Sequence, residues 1–128
     1  MMEDSGRIQL PPNLHKWIGR FGKKVFVSTL DGESIVIYPL PLWNDHCRKL
    51  RRKKRKKIFR TFMIRANFRG LITEMDNRGR INPGRELIEK TGLKGKLIIE
   101  EKQDHIRLVK ANNSYSVSKK SLNPPPEE

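Results

Sequence analysis

The sequence predicts a small α+β fold, mainly β, made of two tandem copies of one supersecondary unit that share a core and are joined by a helical basic linker. Three observations predict it: a gapless internal match at an offset of 73 residues, hairpin signals at the same place in each copy, and a charged run from Leu50 to Ile58 with no apolar residue between them. The match pairs Gly6, Arg7, Ile8, Leu14, Gly19, Gly22, Lys23, Asp31 and Val36 with Gly79, Arg80, Ile81, Leu87, Gly92, Gly95, Lys96, Asp104 and Val109. Conservative pairs extend it, among them Glu3 with Asp76, Val25 with Ile98, and Ile35 with Leu108. Self-similarity at one fixed period marks a duplicated unit. A unit of about 35 residues is too small to bury its own hydrophobic face, so the copies are expected to pack together.

Each element follows from local chemistry. Gly6 supplies a turn before a short strand at 7–10. Residues 12–18 form a short amphipathic helix with Leu14, Trp17 and Ile18 inward and Gly19 as its stop. A hairpin follows at 24–29 and 34–38, turning at Asp31-Gly32 between β-branched runs. Trp43, Cys47 and Leu50 then recur at i, i+4 and i+7 after Pro41, which predicts a helix. Ile58, Phe59, Phe62 and Met63 predict a second short helix beyond the charged joint. A strand at 70–75 leads to the Gly79 turn and a strand at 80–82. The helix at 85–91 is closed by Gly92, and a second hairpin pairs 96–101 with 106–110 around Gln103-Asp104. The organisation expected is 1–43 for the first unit, 44–66 for the linker, 67–112 for the second unit and 113–128 for a disordered tail.

Composition bounds the function. The chain has 128 residues with 28 Lys plus Arg against 14 Asp plus Glu, a net charge of +14, and a mean hydropathy of −0.71. With 35% hydrophobic residues the core is modest, which argues against a large catalytic fold. No run is long and apolar enough for a membrane helix, and no signal-like start precedes the first turn, so a soluble intracellular protein without a membrane role is expected. Cys47 is the single cysteine, read as a small core hydrophobe. His15, His46 and His105 fall in three elements without ligand spacing, so no metal, cofactor, catalytic centre or small-molecule substrate is expected. Nine of the ten residues 48–57 are basic, which leaves +5 for the rest. Arg51, Arg52, Lys53, Lys54, Arg55, Lys56 and Lys57 are read as a phosphate-contacting block, the alternative being a solvated connector.

The candidate for specificity is an acid-x-x-x-Arg motif present twice: Glu3-Asp4-Ser5-Gly6-Arg7 and Asp76-Asn77-Arg78-Gly79-Arg80. An Arg on a glycine turn presents a fixed fork of donors to a phosphate or a guanine edge. The carboxylate four residues earlier, Glu3 or Asp76, can hold that fork in one rotamer.

At these residues the sequence resembles the MraZ family. The stretches that carry the resemblance are Gly6-Arg7-Ile8-Gln9-Leu10-Pro11, the hairpin from Val25 to Gly32, Ile37-Tyr38-Pro39-Leu40-Pro41-Leu42-Trp43, Asp76-Asn77-Arg78-Gly79-Arg80-Ile81, Glu86-Leu87 and Thr91-Gly92-Leu93. The resemblance implies two swapped-hairpin units of the SpoVT/AbrB type forming one small barrel-like core. It implies a transcriptional regulator, usually a repressor, that binds direct repeats in promoter DNA of the division and cell-wall gene cluster, located in the cytoplasm at the nucleoid. It also implies a closed homo-oligomeric ring, with Ser5, Gly6, Arg7, Arg78, Gly79 and Arg80 facing DNA. Three features depart from the family pattern: no strand precedes the first turn from Met1, Glu3 stands where Asp is expected, and Asn82-Pro83-Gly84 replaces an apolar pair and proline. The rival reading is an RNA-binding or ribosome-associated basic protein, against which Phe59, Phe62 and Phe68 are read as packing residues rather than stacking platforms.

Overall fold

The computed structural model describes residues 2, 3, 5–52 and 70–111. In chain order its elements are β1 (Ile8–Gln9), α1 (Pro12–Gly19), β2 (Lys24–Ser28), β3 (Ile35–Pro39), α2 (Leu40–Arg52), β4 (Leu71–Glu74), β5 (Arg80–Ile81), α3 (Arg85–Thr91), β6 (Leu97–Glu101) and β7 (Ile106–Lys110). Two antiparallel sheets result: a ribbon of β1 with β5, and a five-stranded sheet in the order β4-β2-β3-β7-β6.

The first hairpin is apolar on both faces because both are covered. Side chains alternate across a strand, so Val25, Val27, Ile35 and Ile37 enter the main core with Ile8, Ile18, Ile81, Leu87, Ile106 and Leu108. Phe26, Val36 and Tyr38 point the other way and are roofed by Trp43 of α2. Trp43 stacks on Phe26 with ring centroids 4.1 Å apart and meets Tyr38 edge-on at 5.0 Å. Cys47, one turn further along α2, packs against the same cluster. Burial pushes its thiol up, so it fills apolar space rather than acting as a nucleophile.

Strand pairing joins the halves of the chain three times, β2 with β4, β1 with β5 and β3 with β7, and the last two each pair residues that are 73 apart. Ile8 lies opposite Ile81 in the ribbon, and Ile35 lies opposite Leu108 where β3 joins β7. All four side chains are fully buried. The central register is thus set by matched apolar positions, since slipping by one residue would turn each inward set outward.

Three expectations are corrected. Among the described residues the large sheet is open, with edges at β4 and β6, and does not close into a barrel. The short strands β1 and β5 pair with each other and so do not bridge those edges. Gly19 does not end α1 through a left-handed conformation: Arg20 stays helical at φ −65°, its amide bonding back to Lys16 and Trp17. The positive φ falls at Gly22, at 102°. The strand expected at 80–82 stops at Ile81, because the Asn82 side chain accepts the Gly84 amide at 3.0 Å and turns the chain. The second linker helix and the tail lie outside the described residues.

One polar strap crosses the β3–β7 junction. Asp31 Oδ1 accepts the Glu33 and Ser34 amides, each at 2.9 Å, which shapes the turn between β2 and β3. Arg107 of β7 donates to Ser34 Oγ at 3.1 Å, Asp31 Oδ2 at 3.1 Å and Glu100 Oε1 at 2.9 Å. Burial pushes the Asp31 carboxyl up, but these donors outweigh it and hold it at about 2. Arg107→Ala should lower unfolding free energy by about 1–2 kcal/mol at neutral pH, as read by urea denaturation. A carboxyl with a depressed folded value contributes above its unfolded value and stops contributing once protonated. The gap between variant and parent should therefore narrow as the pH falls from about 4 towards 2.

Candidate nucleic-acid interface

The second acid-x-x-x-Arg segment folds into a closed turn. Gly79 donates its amide to the Asp76 carbonyl at 3.1 Å, and Asp76 donates its amide to the Arg80 carbonyl at 2.9 Å. Gly79 sits at φ 78°, the left-handed region that favours glycine. The Asp76 carboxylate then fastens the turn from inside: Oδ1 accepts the Arg78 and Arg80 amides at 2.9 Å each, and Oδ2 accepts Arg80 Nε at 2.8 Å. The Arg80 amide is the chief cause that holds this carboxyl at about 2. Arg80 is thereby fixed by its Nε edge, while Asn77 and Arg78 stand exposed on the crest. Lys23 donates to Asn77 Oδ1 at 2.7 Å and adds a cation beside them.

The first turn repeats the backbone pattern. Gly6 donates to the Glu3 carbonyl at 2.9 Å, Glu3 donates to the Arg7 carbonyl at 2.7 Å, and Gly6 lies at φ 87°. Its carboxylate behaves differently from the expectation. Glu3 does not hold Arg7; its Oε1 lies 3.8 Å from Arg80 Nη1. The extra methylene of glutamate carries the carboxylate past its own turn towards the neighbouring one. Arg7 is exposed and takes no carboxylate partner among the described residues.

The antiparallel ribbon holds one turn at each of its ends. Gln9 pairs with Arg80, so strand spacing puts the Arg7 and Arg80 backbones about 8 Å apart. Gln9 Nε2 also donates to the Arg78 carbonyl at 2.8 Å. Each turn is supported by the helix of the other half. A Cβ at Gly79 would lie 2.9 Å from the His15 ring of α1, and one at Gly6 would lie 3.2 Å from Ile88 of α3. His15 and Ile88 are themselves 73 apart. Gly79→Ala combines positive φ with this collision and should destabilise by about 1–3 kcal/mol. Gly22→Ala, with a positive φ but open space around it, should cost less in the same thermal or urea titration.

Comparison with known proteins supports the relationship that these turns suggest. No protein-family profile matches the chain. Over 125 residues it is 27% identical to the transcriptional regulator MraZ of Acidobacterium capsulatum, a match that covers 96% of this chain and 84% of the relative. The chain is thus similar along most of its length to an MraZ regulator. A match of that extent takes in the second turn and the linker before it.

The other expected site residues are only partly in view. Arg51 and Arg52 are exposed at the end of α2, whereas Lys53, Lys54, Arg55, Lys56 and Lys57 lie outside the described residues. Ser5 is exposed beside Gly6. Asp45 pairs with Arg48 at 2.9 Å and Lys49 at 3.2 Å, so part of the helix's charge is offset one turn before the block.

The three histidines stand apart in sequence, and the fold joins two of them. Asp104 Oδ1 lies 2.7 Å from His105 Nδ1, and its Oδ2 lies 3.6 Å from His46 Nδ1 on α2. His105 also stacks on Tyr38 at 4.4 Å, and burial together with the Asp104 charge pushes the Tyr38 phenol up. The adjacency of Asp104 and His105 is legible in the chain, but the approach of His46 depends on where α2 lies across the sheet. Among the described residues no three such groups converge as a metal site, and no helix is long and apolar enough to cross a membrane.

Proposed function

We propose that the chain is a sequence-specific DNA-binding transcriptional regulator, a repressor without enzymatic activity that acts at the nucleoid in the cytoplasm. The observation that carries this reading is the pair of Gly-Arg turns with one backbone pattern, one at each end of the short β1–β5 ribbon, with Arg80 locked by Asp76. A pre-fixed guanidinium fork suits a guanine edge in a major groove, and little rotamer freedom remains to be lost on binding. In this reading Ser5, Gly6, Arg7, Arg78, Gly79 and Arg80 face DNA, and residues 51–57 add contacts to phosphate that carry no sequence information.

The pairing of residues 73 apart supports two swapped-hairpin units sharing one core. The relative's name supports regulation of transcription. The targets proposed are promoter direct repeats in the division and cell-wall gene cluster. A closed homo-oligomeric ring would present several weak turns to successive repeats at high effective concentration.

The test is fluorescence anisotropy over a salt series with three probes: a duplex carrying the direct repeats, a scrambled duplex and a structured RNA. The repeat duplex should bind tightest. Tighter binding of the RNA would favour the rival reading. Neutralising residues 51–57 should weaken all three probes nearly equally. On duplex DNA it should also flatten the salt slope by about 0.9 for each phosphate that the protein no longer neutralises.

A further inference from the structure

We propose that the cleft between α1 and the β6–β7 turn binds a small anion that carries a planar ring, of the nucleoside phosphate class. The cleft encloses about 410 Å³, within the span of about 300–1,000 Å³ usual for small-molecule sites. Its two walls come from different halves of the chain, and each contributes a ring: Trp17 from α1 and His105 from the turn. Trp17 packs against the main core and meets Phe21 edge-on at 5.7 Å, so its indole is held in place while still lining the cleft.

The rim gives the sign of the ligand. Lys16 of α1, Arg20 at the cap that follows it and Lys102 of the turn line the cleft against one carboxylate, Glu101. Lys102 also reaches Glu100 at 3.6 Å. Lys16 and Arg20 are exposed and take no carboxylate partner among the described residues. They stand at i and i+4, Lys16 in α1 and Arg20 at its helically wound cap, with no acidic residue in the helix, an arrangement that disfavours this helix end by about 0.2–0.5 kcal/mol. An anion seated between them would remove that repulsion and gain charge-assisted hydrogen bonds. A bare anion would leave the indole unused, whereas a ring stacked on Trp17 uses both features. The neighbouring residue His15 packs on Gly79, so an occupant would bear on the helix that supports the second Gly-Arg turn.

The experiment is isothermal titration calorimetry of the full chain with AMP, adenosine and inorganic phosphate, in the absence of DNA, so that failure leaves the DNA-binding reading standing. AMP should bind saturably with a millimolar or tighter dissociation constant, and adenosine and phosphate each at least about tenfold more weakly. The double substitution Lys16→Glu and Arg20→Glu lies on exposed positions and should weaken AMP by more than about tenfold with an unchanged circular dichroism spectrum. Lys94→Glu, an exposed cation outside the cleft, should leave AMP affinity unchanged. The proposal is overturned by any of four results: no saturable AMP binding, phosphate binding as tightly as AMP, indifference to the α1 double substitution, or an equal loss with Lys94→Glu, which would indicate attraction to bulk charge.

Discussion

Arg80→Ala should weaken binding to the repeat duplex by about 1–3 kcal/mol, roughly five- to more than a hundredfold, and change binding to a scrambled duplex far less. The size follows from preorganisation. Asp76 takes the Nε edge and two backbone amides of the same turn, so the guanidinium meets its target already oriented. Arg80→Lys should lose most of the same affinity, because an ammonium keeps the charge but cannot form the fork. Asp76→Asn should move affinity in the same direction by less, since Arg80 remains but its anchor becomes neutral. Anisotropy on both duplexes decides the matter: equal losses on repeat and scrambled DNA for Arg80→Ala would assign Arg80 to phosphate contact and remove it from base readout.

Leu108→Ala should destabilise the fold by about 2–5 kcal/mol, measured by urea denaturation. Leu108 is fully buried opposite Ile35 at the junction of β3 and β7, where the two halves share their core. With total stabilities of small domains near 5–15 kcal/mol, that loss is a large part of the whole. Ile98→Ala, on the edge strand β6 with 39% of its surface exposed, should move stability much less. The double variant Ile35→Ala with Leu108→Ala should depart from the sum of the single effects, because the two truncations open one shared cavity. Simple additivity would show that the halves do not depend on this junction.

Much of the architecture is readable from the chain because its causes are local. The helix expected at 85–91 forms at Arg85–Thr91, and Gly92 closes it at φ 69°. The first hairpin forms where β-branched runs flank Asp31-Gly32, and the strand after the linker forms at Leu71–Glu74. The two acid-x-x-x-Arg segments adopt one turn because Gly6 and Gly79 supply the positive φ that the turn needs. The end of α1 is less legible, because the left-handed position could fall at either Gly19 or Gly22, and the last turn of the helix tightens through i+3 bonds before the chain reverses.

Most of the described elements, the offset of 73 residues and the residues that make the turns are legible in the chain alone, since periodicity, β-branching and glycine act within a few residues of chain. Only the tertiary structure decided which groups meet across that offset. It set Glu3 beside Arg80 instead of Arg7, His46 beside Asp104, and each short helix under the other half's turn. Those choices follow from strand register and side-chain reach, and a register emerges only when Ile8, Ile35, Ile81 and Leu108 are buried together.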